Sequence, residues 1–279
     1  MSISGITYSP FLPPSHTSIV RIFCTEEKNM IKFIVKSSER EAGLAAAQIM
    51  AEVIRRPTAT IGLATGSTPL NMYAALVDMY RRGELSFKNV RCVNLDEYVG
   101  LSPDHPQSYA RFMRDNLFSK VDIPPDRCHI PSGITDPVAE CERYDRLLDS
   151  LGGVDIQLLG LGHNGHIAFN EPDDHFPRDT TLVSLTPSTL QANSRFFSEG
   201  ERPPERAISM GIGRILRARK ILLLVTGQGK AEILERALFG RITPAVPASI
   251  LQFYQGDLTV VADASAASSI RAKHPDLST

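Results

Sequence analysis

The ten residues HNGHIAFNEP, at 163–172, set two imidazoles, two side-chain amides and a carboxylate around one glycine. Imidazole exchanges protons near neutral pH, and a carboxylate on one ring nitrogen orients it while leaving the other free to shuttle a proton. His166 with Glu171 fits such a relay, and Asn164 adds an orientable amide. The H-x-x-H spacing of His163 and His166 also raises a metal site completed by Glu171 or Asp174. No metal is expected: the pair sits on a glycine loop without the helical register of zinc hydrolases, and the cysteines are too dispersed to complete a ligand set. His163 by itself reads as a strand cap or an exposed ring.

A second chemical cluster follows the apolar segment VRCVNL (90–95), where Asp96 and Glu97 stand side by side. Acidic pairs in loops are most often solvated or N-capping, and neither is expected in the core. At the ligand edge of a sheet, however, adjacent carboxylates raise one another's pKa and can yield a base for a carbon-bound proton. Thr65, Gly66, Ser67 and Thr68 join a strand, TATIGLA (58–64), to a helix that starts at Pro69 and runs through Met79. Backbone N–H groups at such a junction suit a phosphate, although TGST lacks the lysine and spacing of a Walker loop and also reads as an ordinary N-cap turn. The GQGK turn at 227–230 repeats the arrangement and adds the ammonium of Lys230, while LQANSRFF (190–197) reads as a helix exposing Arg195.

These groups need a scaffold, and the pattern of the chain supplies one. The largely apolar run at 154–162 ends in glycines, like a buried parallel strand delivering the 163–172 loop to the carboxyl edge of a sheet. MIKFIVKSS from Met30 alternates like a strand, and Ser38 with Glu41 resembles a capping box for the helix that follows. Helices are also expected over SYARFMRDNLFSKV, over residues 137–153 and from VPASILQ, with short strands at TTLVSLTP and DLTVVAD, after which the tail fades out. Alternation of this kind predicts an α/β, Rossmann-like three-layer sandwich with a mostly parallel sheet, one domain over residues 30–279. Residues 1–29, proline-rich and without a sustained period, read as a peripheral arm.

Composition narrows the partners. A formal net charge of −1, 42% hydrophobic and 22% charged residues give no bulk reason to expect nucleic acid or an anionic membrane. Four scattered cysteines and the lack of a secretory or 18-residue apolar segment point to a cytoplasmic protein.

Taken together, NLDEYVGL (94–101), GHNGHIAFNEP (162–172), ANSRFF (192–197), ATGSTP (64–69) and the GQGKA turn closely resemble the glucosamine-6-phosphate deaminase family, from Met30 to about Asp263. The resemblance implies conversion of glucosamine 6-phosphate and water to fructose 6-phosphate and ammonia, with no cofactor; a homo-oligomer is compatible with it. It implies that Asp96 accepts the C2 proton, that His166 assists ring opening and that Glu171 holds His166. Thr65, Gly66, Ser67, Thr68, Arg195 and Lys230 match phosphate-binding positions. Two departures stand out. Asn164 replaces an aspartate found in some members, and Thr181 and Val183 occupy the positions of an Arg and a Lys that bind an N-acetylated activator in allosteric relatives, so no such activation is expected. Competing readings are a galactosamine-6-phosphate deaminase, a 6-phosphogluconolactonase, whose reaction needs no base at C2, and a noncatalytic sugar-phosphate sensor.

Overall fold

A computed structural model describes residues 18–23, 30–198 and 200–275. Its strands are β1 (Ser18–Phe23), β2 (Met30–Lys36), β3 (Ala59–Leu63), β4 (Val90–Asn94), β5 (Asp96–Tyr98), β6 (Cys128–His129), β7 (Ile156–Leu159), β8 (Thr181–Ser184), β9 (Arg206–Ser209), β10 (Lys220–Val225) and β11 (Asp257–Asp263). The helices are α1 (Glu39–Ile54), α2 (Leu70–Arg81), α3 (Tyr109–Asn116), α4 (Pro137–Ser150), α5 (Pro187–Ser194), α6 (Ile212–Ile215), α7 (Ala231–Phe239) and α8 (Ser268–Lys273).

Eight strands form the main sheet in the order β1-β2-β11-β10-β7-β3-β4-β6. All neighbours from β2 to β6 run parallel, and only β1 is antiparallel. A parallel sheet covered on both faces demands continuous apolar strands. The chain supplies them: Ile61, Leu63, Leu158, Leu159, Leu222, Leu223 and Val260 are inaccessible to solvent or nearly so. Each such side chain contributes roughly 1.5–3 kcal/mol of transfer free energy.

Helix starts follow the local chemistry. Ser38 caps α1 by accepting from Glu41 N–H, but Glu41 reaches back to Ser37 N–H and Oγ instead of the Ser38 N–H a full capping box would use. Asp136 caps α4 and places Pro137 at its first turn, where the missing N–H costs nothing.

The chain leaves β3 for β4 on one side and leaves β7, by way of the small sheet, for β10 on the other. The crevice at the carboxyl ends of β3 and β7 is therefore a topological switch point, the place where open α/β sheets hold ligands. A second, antiparallel sheet, β5-β9-β8, hangs from the end of β4.

Several expectations need adjustment. Organised structure was expected from Met30, yet Ser18–Phe23 already pairs with β2 as the outer strand. The segment beginning VPASILQ is a 3-10 helix (Pro247–Phe253), not an α-helix, and the tail carries α8 before the described residues end. Among the described residues no helix is long and apolar enough to cross a membrane.

β1 lies three strands from β10, the nearest strand that delivers one of the candidate residues named from the sequence, although its neighbour β2 leads to Glu39 on the cavity wall. Removing residues 1–29 should therefore change kcat/KM by less than about two-fold while lowering Tm by a few degrees. A tenfold loss of activity in the folded truncated protein would mean that the arm reaches the site.

Candidate active site

Four neighbouring strands end at one cavity of about 800 Å³. β3 delivers Thr65, Gly66, Ser67 and Thr68; β4 delivers Asp96; β7 delivers Asn164 and His166; β10 delivers Lys230. Arg195 enters from the end of α5. Every candidate site residue lines this cavity except Glu171, which sits directly behind His166 and Asn164.

Asp96 opens β5, where its register partner is Ser209 and Met210 N–H donates to Leu95 O. Contrary to the expectation that neither lies in the core, both acids are buried, Asp96 at 6% and Glu97 at 2% exposure. They are separated by the alternation of the strand. Glu97 turns inward and accepts N–H bonds from Tyr98, Tyr109 and Ala110, so it caps the start of α3 together with Ser108. Asp96 faces the cavity. Burial, with the neighbouring Glu97 charge adding to it, pushes the Asp96 carboxyl up to about 8. Burial lifts Glu97 as well, to about 7, against the pull of its three N–H donors.

The β7 loop is folded by its own backbone. Gly162 N–H donates to His166 O and Gly165 N–H to Gly162 O, closing a tight loop. Gly165 sits at φ 90°, a conformation open to glycine, and a Cβ on Gly162 would overlap the His166 ring. Asn164 Oδ1 accepts from His166 N–H, and its Nδ2 donates to Glu171 Oε2 at 2.6 Å. That carboxylate oxygen is also 3.4 Å from His166 Nδ1, an ion-pair contact outside hydrogen-bond geometry. Burial would raise Glu171, but His166, Thr189 and Asn164 outweigh it and hold the carboxyl at about 2. Glu171 is therefore ionised at neutral pH, and His166 has a fixed charge behind it.

Two cations line the same cavity. α2 and α7 both start without a side-chain cap, so the positive ends of their dipoles suit an anion. Lys230 is half-buried, and burial together with Arg195 lowers its ammonium to about 8. Arg195 is exposed, its guanidinium 4.7 Å from the centre of the Phe196 ring. Arg195 and Lys230 thus repel each other until an anion sits between them.

The sequence did not single out Glu39, Tyr109, Thr189 or Asn193, which also line the cavity. They arrive from the starts of α1 and α3 and from α5, and nothing local in the chain marks them as neighbours. Of the alternative metal ligands, Asp174 is exposed and pairs with His175, away from the cavity lining.

Asp96 and the Glu171-backed His166 share one cavity with Arg195 and Lys230, an arrangement that suits proton transfer on a small anionic substrate. Comparison with known proteins agrees. Residues 36–260 match the profile of the glucosamine-6-phosphate isomerases/6-phosphogluconolactonase family, and the chain belongs to it. A glucosamine-6-phosphate deaminase from Lachnoclostridium phytofermentans is 50% identical over 233 residues, 83% of this chain and 98% of that protein. One from Geobacillus sp. is 49% identical over 240 residues, 85% of this chain and 95% of that protein. Among solved structures, a monomeric glucosamine-6-phosphate deaminase of the NagB superfamily matches with a TM-score of 0.82 at 45% identity, covering 85% of this chain and 99% of that one. The 6-phosphogluconolactonase of Trypanosoma brucei matches with a TM-score of 0.65 at 22% identity, over 85% of this chain and 98% of that one, a similarity of fold alone.

Holding Asp96 above its unfolded pKa has a stability consequence. A carboxyl raised in the folded state stabilises fully below its unfolded pKa, near 3.8, and the contribution is lost as pH climbs toward 8. Asp96→Asn should therefore unfold at higher denaturant than the parent protein at pH 8, by on the order of a few kcal/mol, with the gain vanishing near pH 4. Urea titrations at the two pH values read this directly, and a variant equally stable or weaker at pH 8 would place Asp96 in a polar setting.

Proposed function

We propose that the protein is a glucosamine-6-phosphate deaminase, converting glucosamine 6-phosphate and water to fructose 6-phosphate and ammonia. The observation that carries this reading is the placement of Asp96, a buried carboxylate, and His166, a carboxylate-backed imidazole, on one cavity that Arg195 and Lys230 also line. All these groups come from a single chain. Lactone hydrolysis would need no base for a carbon-bound proton, whereas aldose–ketose isomerisation does.

In this reading the phosphate anchors between Arg195, Lys230 and the Thr65 to Thr68 turn. Arg195 grips oxygens through its fork, and Lys230 supplies a compact charge. His166 passes a proton to the ring oxygen and unlatches the hemiacetal, while Glu171 stabilises the imidazolium that participates. Asn164 carries no charge, so it orients Glu171 and leaves the electrostatic role to that carboxylate. Asp96 removes the proton at C2 and returns it to C1 through an enolamine. The resulting ketimine takes up water at C2 and expels ammonia. Burial makes Asp96 a stronger base than an ordinary carboxylate, at the cost of protonation below about pH 8, so kcat/KM should climb with pH through the neutral range.

The deciding experiment is a coupled assay for ammonia and fructose 6-phosphate, with glucosamine 6-phosphate and its galacto epimer run in parallel. One ammonia per ketose from the gluco substrate is expected; preferential turnover of the epimer would reassign the substrate, and neither product would refute the activity. Asp96→Asn should cut kcat by about 10²–10⁴-fold while fructose 6-phosphate still binds within about three-fold.

The positions implied for an activator are also placed. Thr181 and Val183 lie on β8, and the nearby Arg214 is already engaged by Asp145, Asp149 and Asp179. Substrate saturation should accordingly be hyperbolic and indifferent to N-acetylglucosamine 6-phosphate. Sigmoidal curves relieved by that compound would show that other residues supply the missing charge.

A further inference from the structure

The reaction leaves His163, an imidazole on the cavity wall, without work. His163 lines the same cavity as Arg195 and Lys230, with its ring solvent-accessible and packed against the 227–230 turn that opens α7. The packing is close: a Cβ placed on Gly229 would lie 3.2 Å from His163 Cε1. The charged groups facing the ring come from three elements: Lys230 from the turn, Arg195 from the end of α5 and His166 from its own loop. Glu39, at the start of α1, lines the wall near Gly227, while Asp263 behind the turn is occupied by the Gly227 and Ala266 N–H groups.

Without an anion this neighbourhood disfavours a third cation. Burial and Lys230 lower the His163 pKa below its ordinary value, the Gly229 backbone opposes them, and His166 and Arg195 lower it further. A phosphate dianion seated between Arg195 and Lys230 reverses the sign of the local field, so the ring that avoided a proton would then hold one.

We propose that His163, packed on the 227–230 turn beside Arg195 and Lys230, is a third, proton-gated ligand for the phosphate monoester, imidazolium once the dianion is bound. This rests on the phosphate-subsite reading of Arg195 and Lys230 given above. Binding then takes up a proton, and affinity weakens as pH rises through the window between the free and bound pKa of the ring. The device favours a dianionic phosphate over singly charged analogues, because only the dianion repays three adjacent cations.

Calorimetric titration with fructose 6-phosphate at pH 7, in two buffers of different ionisation enthalpy, counts the protons. The parent protein should take up about 0.3–0.7 more protons per site than His163→Gln. Affinity should be about three- to tenfold weaker in the variant at pH 6.5 and converge with the parent by pH 8, and in turnover the loss should fall on KM more than on kcat. Equal proton uptake would overturn the proposal, even alongside weaker binding, because His163 would then be only a neutral contact. Arg195→Ala separates the two layers. If that variant binds fructose 6-phosphate as tightly as the parent, the phosphate subsite itself is misplaced; if it loses affinity while His163→Gln matches the parent throughout, only the role of His163 fails.

Discussion

The constraint on which the site depends is the withdrawal of one carboxylate from water. Asp96 lies where the chain leaves the main sheet at β4 and turns into the small sheet as β5, so its backbone is held by Leu95, Ser209 and Met210. A buried carboxylate without an opposing cation is costly, and the fold lets that cost surface as basicity instead of neutralising it. Placing the carboxylate at a seam between two sheets achieves this. Strand pairing with Ser209 fixes the Asp96 backbone, and its side chain lines the cavity.

The two acids of the DEY segment illustrate how strand alternation divides labour. Glu97, one residue on and facing the other way, spends its oxygens on three backbone N–H groups and fixes α3, which brings Tyr109 to the cavity wall. Its partial charge also stays close enough to raise Asp96. A structural cap thus tunes the reactive group beside it. The opposite wall uses the reverse logic: Glu171 is held ionised by its partners, so the imidazole in front of it has a permanent counter-charge. One carboxylate has its ionisation opposed and the other has it enforced, and that contrast separates a base from an orienter.

Much of this was legible in the chain, for identifiable reasons. The β7 strand and its loop could be read because a largely apolar run ending in glycines has few other fates in an α/β protein, and the residue types after it carry proton chemistry. The parallel sheet followed from alternation alone. The burial of Asp96 and Glu97 was not legible, because an acid pair that caps a distant helix has the same local sequence as a solvated one. β1 was hidden for a similar reason: SIVRIF gains its strand character from pairing with β2 rather than from period. Glu39, Tyr109 and Thr189 are positioned by helix starts remote in sequence, and no motif reports such convergence.

One part of the site does not come from the end of a main-sheet strand. Arg195 rides on α5, whose contacts run to an aromatic cluster and not to the parallel strands: Phe197 packs edge-on to Tyr98, Tyr98 and Tyr109 flank Phe169, and Asn193 donates to the Tyr98 hydroxyl. His105 adds a clasp, its Nε2 2.8 Å from Glu201 just beyond the helix and its ring beside Phe197. Tyr98 is two residues from Asp96, and Phe169 is three from His166. The same cluster that seats the helix leading to Arg195 therefore also touches both segments that carry Asp96 and His166. Ala168, at φ 52°, is the strained residue in the turn that presents Phe169 to it. Aromatic contacts with preferred edge and stacked geometries, together with the Asn193 hydrogen bond, thus set the register between the α5 segment and the segments that carry Asp96 and His166.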